Sequence, residues 1–386
     1  MTNEYLHCLP ELAVDHATLV DLLRWRGKYQ PDQVAYIFLP DGDAEEVKIT
    51  YQELDRRARG IGALLQSRQI TNQPVLLLYP PGLEYLAAFF GCLYAGAVAV
   101  PAYPPRMNRN ISRLRAIVAD AQVTAALTTT ASLLRIKHLF AQSADLQDLR
   151  WLVSDQISDD LIAQWTDPMV AADTLAFLQY TSGSTAAPKG VMVSHANLLH
   201  NEEVIKNVFK QTAESIIAGW LPLYHDMGLI GNALQPLYLG THAVLMSPAS
   251  FLQRPFRWLQ AISRYRASTS GGPNFAYDLC VRDISKDEKA TLDLCSWTVA
   301  FNGAEPIRED TLDRFSSAFA ECGFRRDAFH PCYGLAEATL LVSGRLKSSQ
   351  ATVKRFQSGP LETHRLVEAF EELLSIVIGV QFLPQH

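Results

Sequence analysis

The stretch with the clearest chemical character is Tyr180–Gly190, which reads YTSGSTAAPKG. Its positions 181–185 place four hydroxyl side chains and one glycine shortly after an apolar run, Leu175–Leu178. Backbone N–H groups and hydroxyls in such a turn can surround a chain of phosphates, and Lys189 adds a positive charge close by. The pattern therefore predicts phosphate binding and hence a nucleotide site. A flexible surface turn rich in serine, threonine and glycine is the alternative that composition alone leaves open.

The residues around Lys189 exclude one large class of nucleotide site. A Walker A loop requires Gly-x4-Gly-Lys followed by Ser or Thr. Here Pro188 precedes Lys189 and Gly190 follows it. The positions that would hold phosphate and magnesium therefore carry the wrong residue types, and the sequence does not indicate a Walker-type kinase or GTPase.

The chain has the composition of a globular protein. Of its 386 residues, 48% are hydrophobic and 19% are charged, which allows a large core and more than one lobe. The net charge of −6 offers no basic surface for nucleic acid. The six cysteines form no Cys-x-x-Cys pair, so neither zinc nor a disulfide framework is predicted, and a cytoplasmic protein with reduced thiols is expected.

Neither a signal peptide nor a membrane span is predicted. Met1–Pro10 contains Glu4 and has no basic segment ahead of an apolar one. Tyr85–Pro105 is uncharged and approaches the length of about 20 residues that crosses a bilayer, but glycines and prolines interrupt it. Its pattern instead predicts a buried helix at Leu83–Ala95 and a buried strand at Ala97–Val100.

Short apolar runs alternate with helical patterns along the chain. Other predicted helices are Ala17–Tyr29, a helix opening at the capping box Thr50–Glu53, Ile111–Asp120, Ala196–Phe209, Phe256–Tyr265 and Ile307–Ala320. Other predicted strands are Val75–Tyr79, Val123–Leu127, Trp151–Val153, Leu175–Gln179, Ile217–Leu221, Ala243–Met246 and Trp297–Phe301. This alternation indicates an α/β fold with helices covering the sheets. We expect two packed α/β lobes, residues 1–170 and 171–345, and a partial insertion or tail at 346–386.

Four further segments accompany the hydroxyl-rich loop. They are Leu93–Pro105, Trp220–Gly231, Phe301–Pro306 and His330–Leu340. In order and in residue types, all five segments resemble the motifs of the adenylate-forming superfamily, which includes acyl-CoA ligases, luciferases, peptide-synthetase adenylation domains and fatty acyl-AMP ligases. The resemblance covers roughly residues 15–375 and implies the large N-terminal domain of such an enzyme, with its luciferase-like fold.

The resemblance implies that the chain binds ATP and Mg²⁺. By this match Tyr333 stacks on the adenine ring, Gly303 and Ala304 leave room for it, and Glu337 ligates the Mg²⁺ that bridges the phosphates. The residues assigned to the nucleotide are Thr181, Ser182, Gly183, Ser184, Thr185, Lys189, Gly303, Ala304, Glu305, Tyr333, Gly334, Leu335 and Ala336. Taken alone, Glu337 would be an ordinary solvated helix residue and residues 302–305 a commonplace turn.

The candidate catalytic residues are His225, Lys189 and Glu337. His225 resembles the superfamily histidine that borders the carboxylate and the α-phosphate. We expect it to position groups and stabilise charge instead of acting as a base, because the carboxylate nucleophile is already ionised at neutral pH. Without the motif, a hydrogen-bonded structural pair with Asp226 would be the simpler interpretation.

An acyl tunnel is predicted near Ser270–Asp278, which reads SGGPNFAYD. Two glycines and aromatic residues at alternate positions can line such a tunnel, although aromatic residues are more often part of a core. The predicted substrate-binding residues are His225, Asp226, Met227, Gly272, Asn274, Phe275 and Tyr277. The segments Ser270–Asp278, Tyr224–Gly228 and Tyr333–Leu340 are most similar to the fatty acyl-AMP ligase branch. That branch passes the acyl group to the phosphopantetheine of an acyl carrier protein. A fatty acid and an acyl carrier protein are therefore the expected partners.

The departures from the family pattern bear on activity. Ala186 and Ala187 stand where many members have a glycine and a variable residue, which stiffens the loop. The later aspartate motif, the hinge and the small C-terminal domain with the adenylation lysine have no counterpart, and Lys189 belongs to the phosphate loop. We therefore expect ATP binding with weak turnover, or a partner chain that supplies the C-terminal domain. The alternatives are an acyl-CoA ligase, and an inactive nucleotide- or acyl-binding remnant or half of a split enzyme.

Overall fold

The computed structural model describes residues 16–104, 111–140, 146, 148–181 and 188–346, together with the backbone of three short strands near the C-terminus. The helices are Leu19–Tyr29, Tyr51–Ser67, Leu83–Tyr94, Ile111–Asp120, Thr130–Phe140, Asp159–Ile162, His195–Phe209, Asp226–Leu229, Gln235–Leu239, Pro248–Gln253, Phe256–Tyr265, Asn274–Asp283, Lys286–Lys289 and Glu309–Phe319, with a π-helical turn at Ile230–Leu234. The strands are β1 Val34–Leu39, β2 Val47–Thr50, β3 Pro74–Leu77, β4 Val98–Pro101, β5 Ala125–Thr128, β6 Arg150–Val153, β7 Leu175–Thr181, β8 Lys189–Ser194, β9 Ile217–Gly219, β10 Ala243–Met246, β11 Thr269–Gly272, β12 Val299–Asn302, β13 Phe329–Gly334, β14 Leu341–Gly344, β15 Val353–Arg355, β16 Ser375–Val377 and β17 Gln381–Phe382.

The strands form two large sheets, which confirms the predicted α/β class. One sheet has the order β6-β5-β3-β4-β7-β8 and is parallel except for β8. The other has the order β17-β14-β13-β12-β11-β9-β10-β1-β2, with a parallel centre and antiparallel strands at both ends. Strands β15 and β16 pair separately.

Membership of the two sheets does not follow the predicted division at residues 170 and 171. Strands β1 and β2 belong to the sheet that the second half of the chain builds, whereas β7 and β8 complete the first sheet. The chain therefore passes from one sheet to the other more than once, and neither sheet is built from a single continuous stretch of sequence.

The predicted buried helix is confirmed at Leu83–Tyr94, where every side chain except Glu84 is buried. The Phe89 ring packs edge-on against Phe177 of β7. The Tyr85 hydroxyl donates to the carbonyl of Leu223 at 2.8 Å, which ties this helix to the loop after β9. Within the described ranges, no helix is long and apolar enough to cross a bilayer.

Capping residues set the start of two other helices. The Thr50 hydroxyl accepts from the Glu53 N–H at 3.2 Å, as predicted, but the Glu53 carboxylate pairs with Arg56 and Arg57 instead of closing the box. Ser194 and Asn197 form a reciprocal capping box that starts helix His195–Phe209 directly after β8. This helix therefore begins at the residue that follows β8.

Candidate functional site

Four of the predicted motifs lie along one edge of the larger sheet. Strands β9, β11, β12 and β13 are neighbours and run parallel, so their carboxyl ends meet at the same edge. The loop from Trp220, the helix from Asn274 and the turn at Gly303 follow the ends of β9, β11 and β12, and Gly334 is the last residue of β13. Loops at this edge of a parallel sheet are the usual place for ligand binding in α/β proteins.

A cavity of about 220 Å³ opens at this edge. Six residues predicted from the sequence line it: Asp226, Met227, Gly303, Ala304, Tyr333 and Gly334. The other lining residues are Ile205, Phe209, Gln211, Gly231, Thr269, Phe301, Cys332, Leu340 and Leu341. Residues more than 120 positions apart in the chain thus meet around one space, whose lining combines polar side chains such as Asp226 with apolar ones such as Leu341.

The turn after β12 presents backbone to the cavity. A Cβ atom at Gly303 would lie 2.8 Å from the carbonyl oxygen of Cys332, so a side chain there would displace the neighbouring strand. Ala304 has a φ of 69°, a left-handed conformation that costs a residue with a Cβ energy. Tyr333 exposes 59% of its surface beside this turn. The three residues together form a shallow surface suited to a flat ring.

Glu305 makes a structural contact that the sequence does not predict. Its Oε1 accepts a hydrogen bond from the Phe275 N–H at 2.6 Å, in the first turn of helix Asn274–Asp283. A carboxylate is stabilised at a helix N-terminus by the unpaired N–H groups and the helix dipole. Glu305 therefore anchors the turn after β12 to the neighbouring helix.

Strands β7 and β8 form an antiparallel hairpin and flank the hydroxyl-rich segment in the chain. Thr181 pairs with Lys189 at the last described position of the ladder, and the predicted residues Ser182, Gly183, Ser184 and Thr185 lie outside the described residues. The Gln179 Nε2 donates to the carbonyl of Tyr224 at 3.1 Å. This bond fixes the hairpin to the turn that carries His225.

The turn after β9 places two ionisable groups together. Although the His225 ring reaches solvent, partial burial lowers its pKa below the usual value, while Asp226 opposes the shift and Arg113 adds to it. Burial raises the pKa of the Asp226 carboxyl, and the nearby charge of Glu337 raises it further. The hydrogen bond from the Met227 N–H and the charge of His225 act in the opposite direction. The Asp226 Oδ1 accepts from the Met227 N–H at 2.7 Å.

Asp226 and Glu337 are suitable donors for Mg²⁺. Glu337 is exposed on a short helical turn, Ala336–Ala338, in contact with β8, whereas Ala336 is buried and the Leu335 N–H donates to the Leu340 carbonyl. Among the described residues there is no group of three or more side chains that could hold a metal. In proteins Mg²⁺ commonly takes one or two carboxylates together with phosphate oxygens and water.

The predicted tunnel segment comprises the end of β11 and the start of helix Asn274–Asp283, and the helical part corrects the assignment of one aromatic residue. Residues 275 and 277 point to nearly opposite faces, because successive helical positions rotate by about 100°. Tyr277 is 0% exposed, packs against aromatic rings including Phe329, and donates its hydroxyl to the Phe301 carbonyl at 2.7 Å. Phe275 is 40% exposed and meets the edge of Trp220. Tyr277 is therefore a core residue, in place of its predicted contact with an acyl chain.

Asn274 and Gly272 also support the site from behind. The Asn274 Oδ1 accepts from the Arg308 N–H at 3.1 Å, and its Nδ2 donates to the Thr311 hydroxyl at 3.0 Å. A Cβ atom at Gly272 would lie 2.7 Å from the Trp220 ring. These two residues hold neighbouring elements in contact, and neither lines the cavity.

Comparison with known proteins agrees with this architecture. Residues 23–361 match the family of AMP-binding enzymes. The medium-chain-fatty-acid–acyl-carrier-protein ligase JamA of Moorena producens is 47% identical over 92% of this chain, which spans 60% of that protein. The long-chain-fatty-acid–AMP ligase FadD32 of Mycolicibacterium smegmatis is 36% identical over 89% of this chain, which spans 56% of it.

Solved structures give the same picture of the fold. The fatty acyl-adenylate ligase of L. pneumophila in complex with acyl adenylate and pyrophosphate superposes with a TM-score of 0.87 at 42% identity. That superposition covers 97% of this chain and 64% of the other. The chain thus corresponds to about three fifths of the length of its relatives and contains both large sheets.

Proposed function

Because this chain belongs to the family of AMP-binding enzymes, we propose that it activates a fatty acid with ATP to give an acyl-adenylate and pyrophosphate. The observation that carries the proposal is the single cavity shared by Asp226, Gly303 and Tyr333. Its exposed, backbone-lined part suits an adenylate, and its apolar inner part suits a hydrocarbon chain. The relatives named as fatty acid ligases support this substrate class.

In the proposed reaction a carboxylate oxygen attacks the α-phosphorus of ATP. A carbon–oxygen–phosphorus link forms, the bond from the α-phosphorus to the bridging oxygen breaks, and its electron pair leaves with pyrophosphate. No base is required, since the carboxylate is already ionised. Bound Mg²⁺ would offset the charge that develops on the phosphate oxygens, and Glu337 with Asp226 would hold it there.

His225 would act on the oxygen atoms that gain charge. Its lowered pKa favours a neutral imidazole, which donates one N–H bond and keeps the other nitrogen as an acceptor. The Gln179 bond to the Tyr224 carbonyl holds the neighbouring His225 next to the β7–β8 hairpin. Fixed donors that are aimed at developing charge are worth more in a partly buried site than in water.

We propose an acyl-carrier-protein thiol as the acceptor of the acyl group. Attack of the phosphopantetheine sulfur on the acyl carbon would form a thioester and release AMP. The relative from Moorena producens carries this acceptor in its name. Free CoA in place of the carrier protein is the alternative acceptor, and a direct comparison of the two thioesters distinguishes them.

The binding step is tested with a non-reactive acyl-sulfamoyl adenosine and isothermal titration calorimetry. Tyr333→Ala is expected to weaken binding by about 1–3 kcal/mol, the usual contribution of an aromatic ring stacked on a base. Tyr29→Ala, at a tyrosine that is 48% exposed and remote from the cavity, is the matched control. Binding that Tyr333→Ala leaves unchanged would remove the support for the proposed adenine surface.

The chemical step is tested by hydroxylamine trapping with ATP, Mg²⁺ and dodecanoic acid. Hydroxamate that requires all three reactants supports acyl-adenylate formation. Glu337→Gln is expected to lower the yield and to weaken binding of Mg²⁺-ATP, while the affinity for the sulfamoyl analogue without Mg²⁺ stays near that of the wild type. A folded protein that binds neither nucleotide nor analogue would contradict the proposal.

A further inference from the structure

A chain of buried polar side chains ends at the inner part of the cavity. The Gln211 Nε2 donates to the Thr269 hydroxyl at 3.2 Å, and the Gln235 Nε2 donates to the Gln211 Oε1 at 2.8 Å. The Glu202 carboxyl contacts the other end of the Gln235 amide. All four residues are at most 5% exposed. Such a connected set fixes each member, because a broken bond leaves a buried polar group unsatisfied.

The direction of the bonds is consistent with a protonated Glu202. Burial raises the pKa of this carboxyl well above its usual value, so the buried group is a neutral acid. Its O–H can then donate to the Gln235 amide oxygen, which leaves the amide nitrogen to donate to Gln211 and the Gln211 nitrogen to donate to Thr269.

Gln211 and Thr269 lie deep in the cavity, away from the proposed nucleotide surface. Thr269 begins β11 and pairs with Val299, whereas Gly272 at the other end of β11 pairs with Asn302 beside the site. This three-residue separation corresponds to about 10 Å along the strand. Apolar lining residues, among them Ile205, Phe209 and Leu341, complete the inner part of the space.

We propose that the Gln211–Thr269 pair is the end wall of the acyl pocket and sets the longest unbranched acyl chain that the protein binds. This inference rests on the proposed function. A chain that extends inward gains about fourfold in affinity for each buried methylene, the equivalent of about 0.8 kcal/mol. When the terminal methyl of the chain only touches the wall, the hydrogen bond between Gln211 and Thr269 stays intact. A longer chain separates Gln211 from Thr269 and loses about tenfold or more in affinity, because a buried amide becomes unsatisfied.

The test measures the dissociation constants of octanoyl-, decanoyl-, dodecanoyl-, tetradecanoyl- and hexadecanoyl-sulfamoyl adenosine by calorimetry. The wild-type protein is expected to show one optimum and a drop of about tenfold or more beyond it. Gln211→Ala removes the amide and should move the optimum to a longer member of the series. Gln211→Met keeps the length of the side chain without its hydrogen bonds and should keep the optimum with a shallower drop.

Thr128→Val is the matched control, since Thr128 is a 0% exposed strand threonine in the other sheet, remote from the cavity. It should retain the wild-type profile. Circular dichroism establishes that each variant is folded. If Gln211→Ala does not fold, Thr269→Ser, which removes one methyl group from the wall, replaces it. Thr269→Ser should reduce the drop in affinity beyond the optimum. An optimum that Gln211→Ala leaves in place, or a drop that Thr269→Ser leaves undiminished, would overturn the wall alone. Failure of the wild-type protein to bind any member of the series would instead overturn the proposed function.

Discussion

A neutral histidine beneath the first described helix predicts a loss of stability in mild acid. His195 is 1% exposed, and its Nδ1 accepts a hydrogen bond from the Leu19 N–H at 3.2 Å. A nitrogen that accepts cannot carry a proton. Burial lowers the pKa of His195 to about 4, and Asp21 partly opposes this shift. In an unfolded chain the pKa of histidine is about 6.5.

The unfolded chain therefore takes up this proton more readily than the folded protein does. Above about pH 6.5 the stabilisation is complete, and it is lost as the pH falls from there to about 4. The difference between these two pKa values corresponds to about 3 kcal/mol, since one pH unit is worth about 1.4 kcal/mol. At about pH 4.5 most of that amount, about 2.5 kcal/mol, should be gone.

Urea unfolding followed by circular dichroism, from about pH 7 to about pH 4.5, measures this effect. His195→Asn keeps an acceptor near the position of Nδ1 but does not titrate, so its stability should fall by about 2.5 kcal/mol less than that of the wild type. His200→Asn, on the exposed face of the same helix, should follow the wild type. Equal pH dependence for wild type and His195→Asn, or a His195 pKa near 6.5 by NMR, would refute the reasoning.

Two further predictions concern other buried or strained residues. Glu202→Gln should gain stability relative to the wild type as the pH rises from about 4.3, by at most about 1.4 kcal/mol per pH unit. The reason is that the unfolded chain ionises Glu202 while the folded protein keeps it protonated. Urea unfolding at several pH values checks this, and equal pH dependence of the two unfolding free energies would contradict it. Ala304→Gly should leave the free energy of unfolding unchanged or raise it by up to about 1 kcal/mol, because glycine tolerates a φ of 69° while increasing the entropy of the unfolded chain. A thermal melt checks this, and a clear loss of stability would argue against backbone strain at Ala304.

Local sequence patterns predict the elements that a single stretch of chain determines. Helix Phe256–Tyr265 and strand Ala243–Met246 have the predicted bounds. Strand β1, VAYIFL, was not predicted; it pairs with the nearby β2 and also with β10, which lies more than 200 residues along the chain. The alternate aromatics of residues 275 and 277 are typical of a strand, but the segment is helical and its Glu305 cap comes from a distant loop.

The site is predictable where motifs directly follow strands, as at Gly303 and Tyr333, and less so at its inner end. Gln211 follows a helix C-terminus and Thr269 opens a strand, so neither belongs to a loop at the ligand-binding edge. Glu202 does leave a signal, since it shares a helical stripe with Leu198, Ile205 and Phe209. A charged residue in an apolar stripe indicates either a partner or an altered protonation state.

Helix His195–Phe209 carries two buried groups, His195 with a lowered pKa and Glu202 with a raised pKa. His195 must lose its proton to fold, so it weakens the protein as the pH falls towards 4. Glu202 must keep its proton, so it weakens the protein as the pH rises above the usual range of a carboxyl group. The helix follows the β7–β8 hairpin at its start, and its last residue, Phe209, lines the cavity with Gln211 of the proposed end wall. The two ends of the proposed site should therefore respond differently to pH, with acid loosening the contact of His195 with Leu19 and alkali loosening the wall.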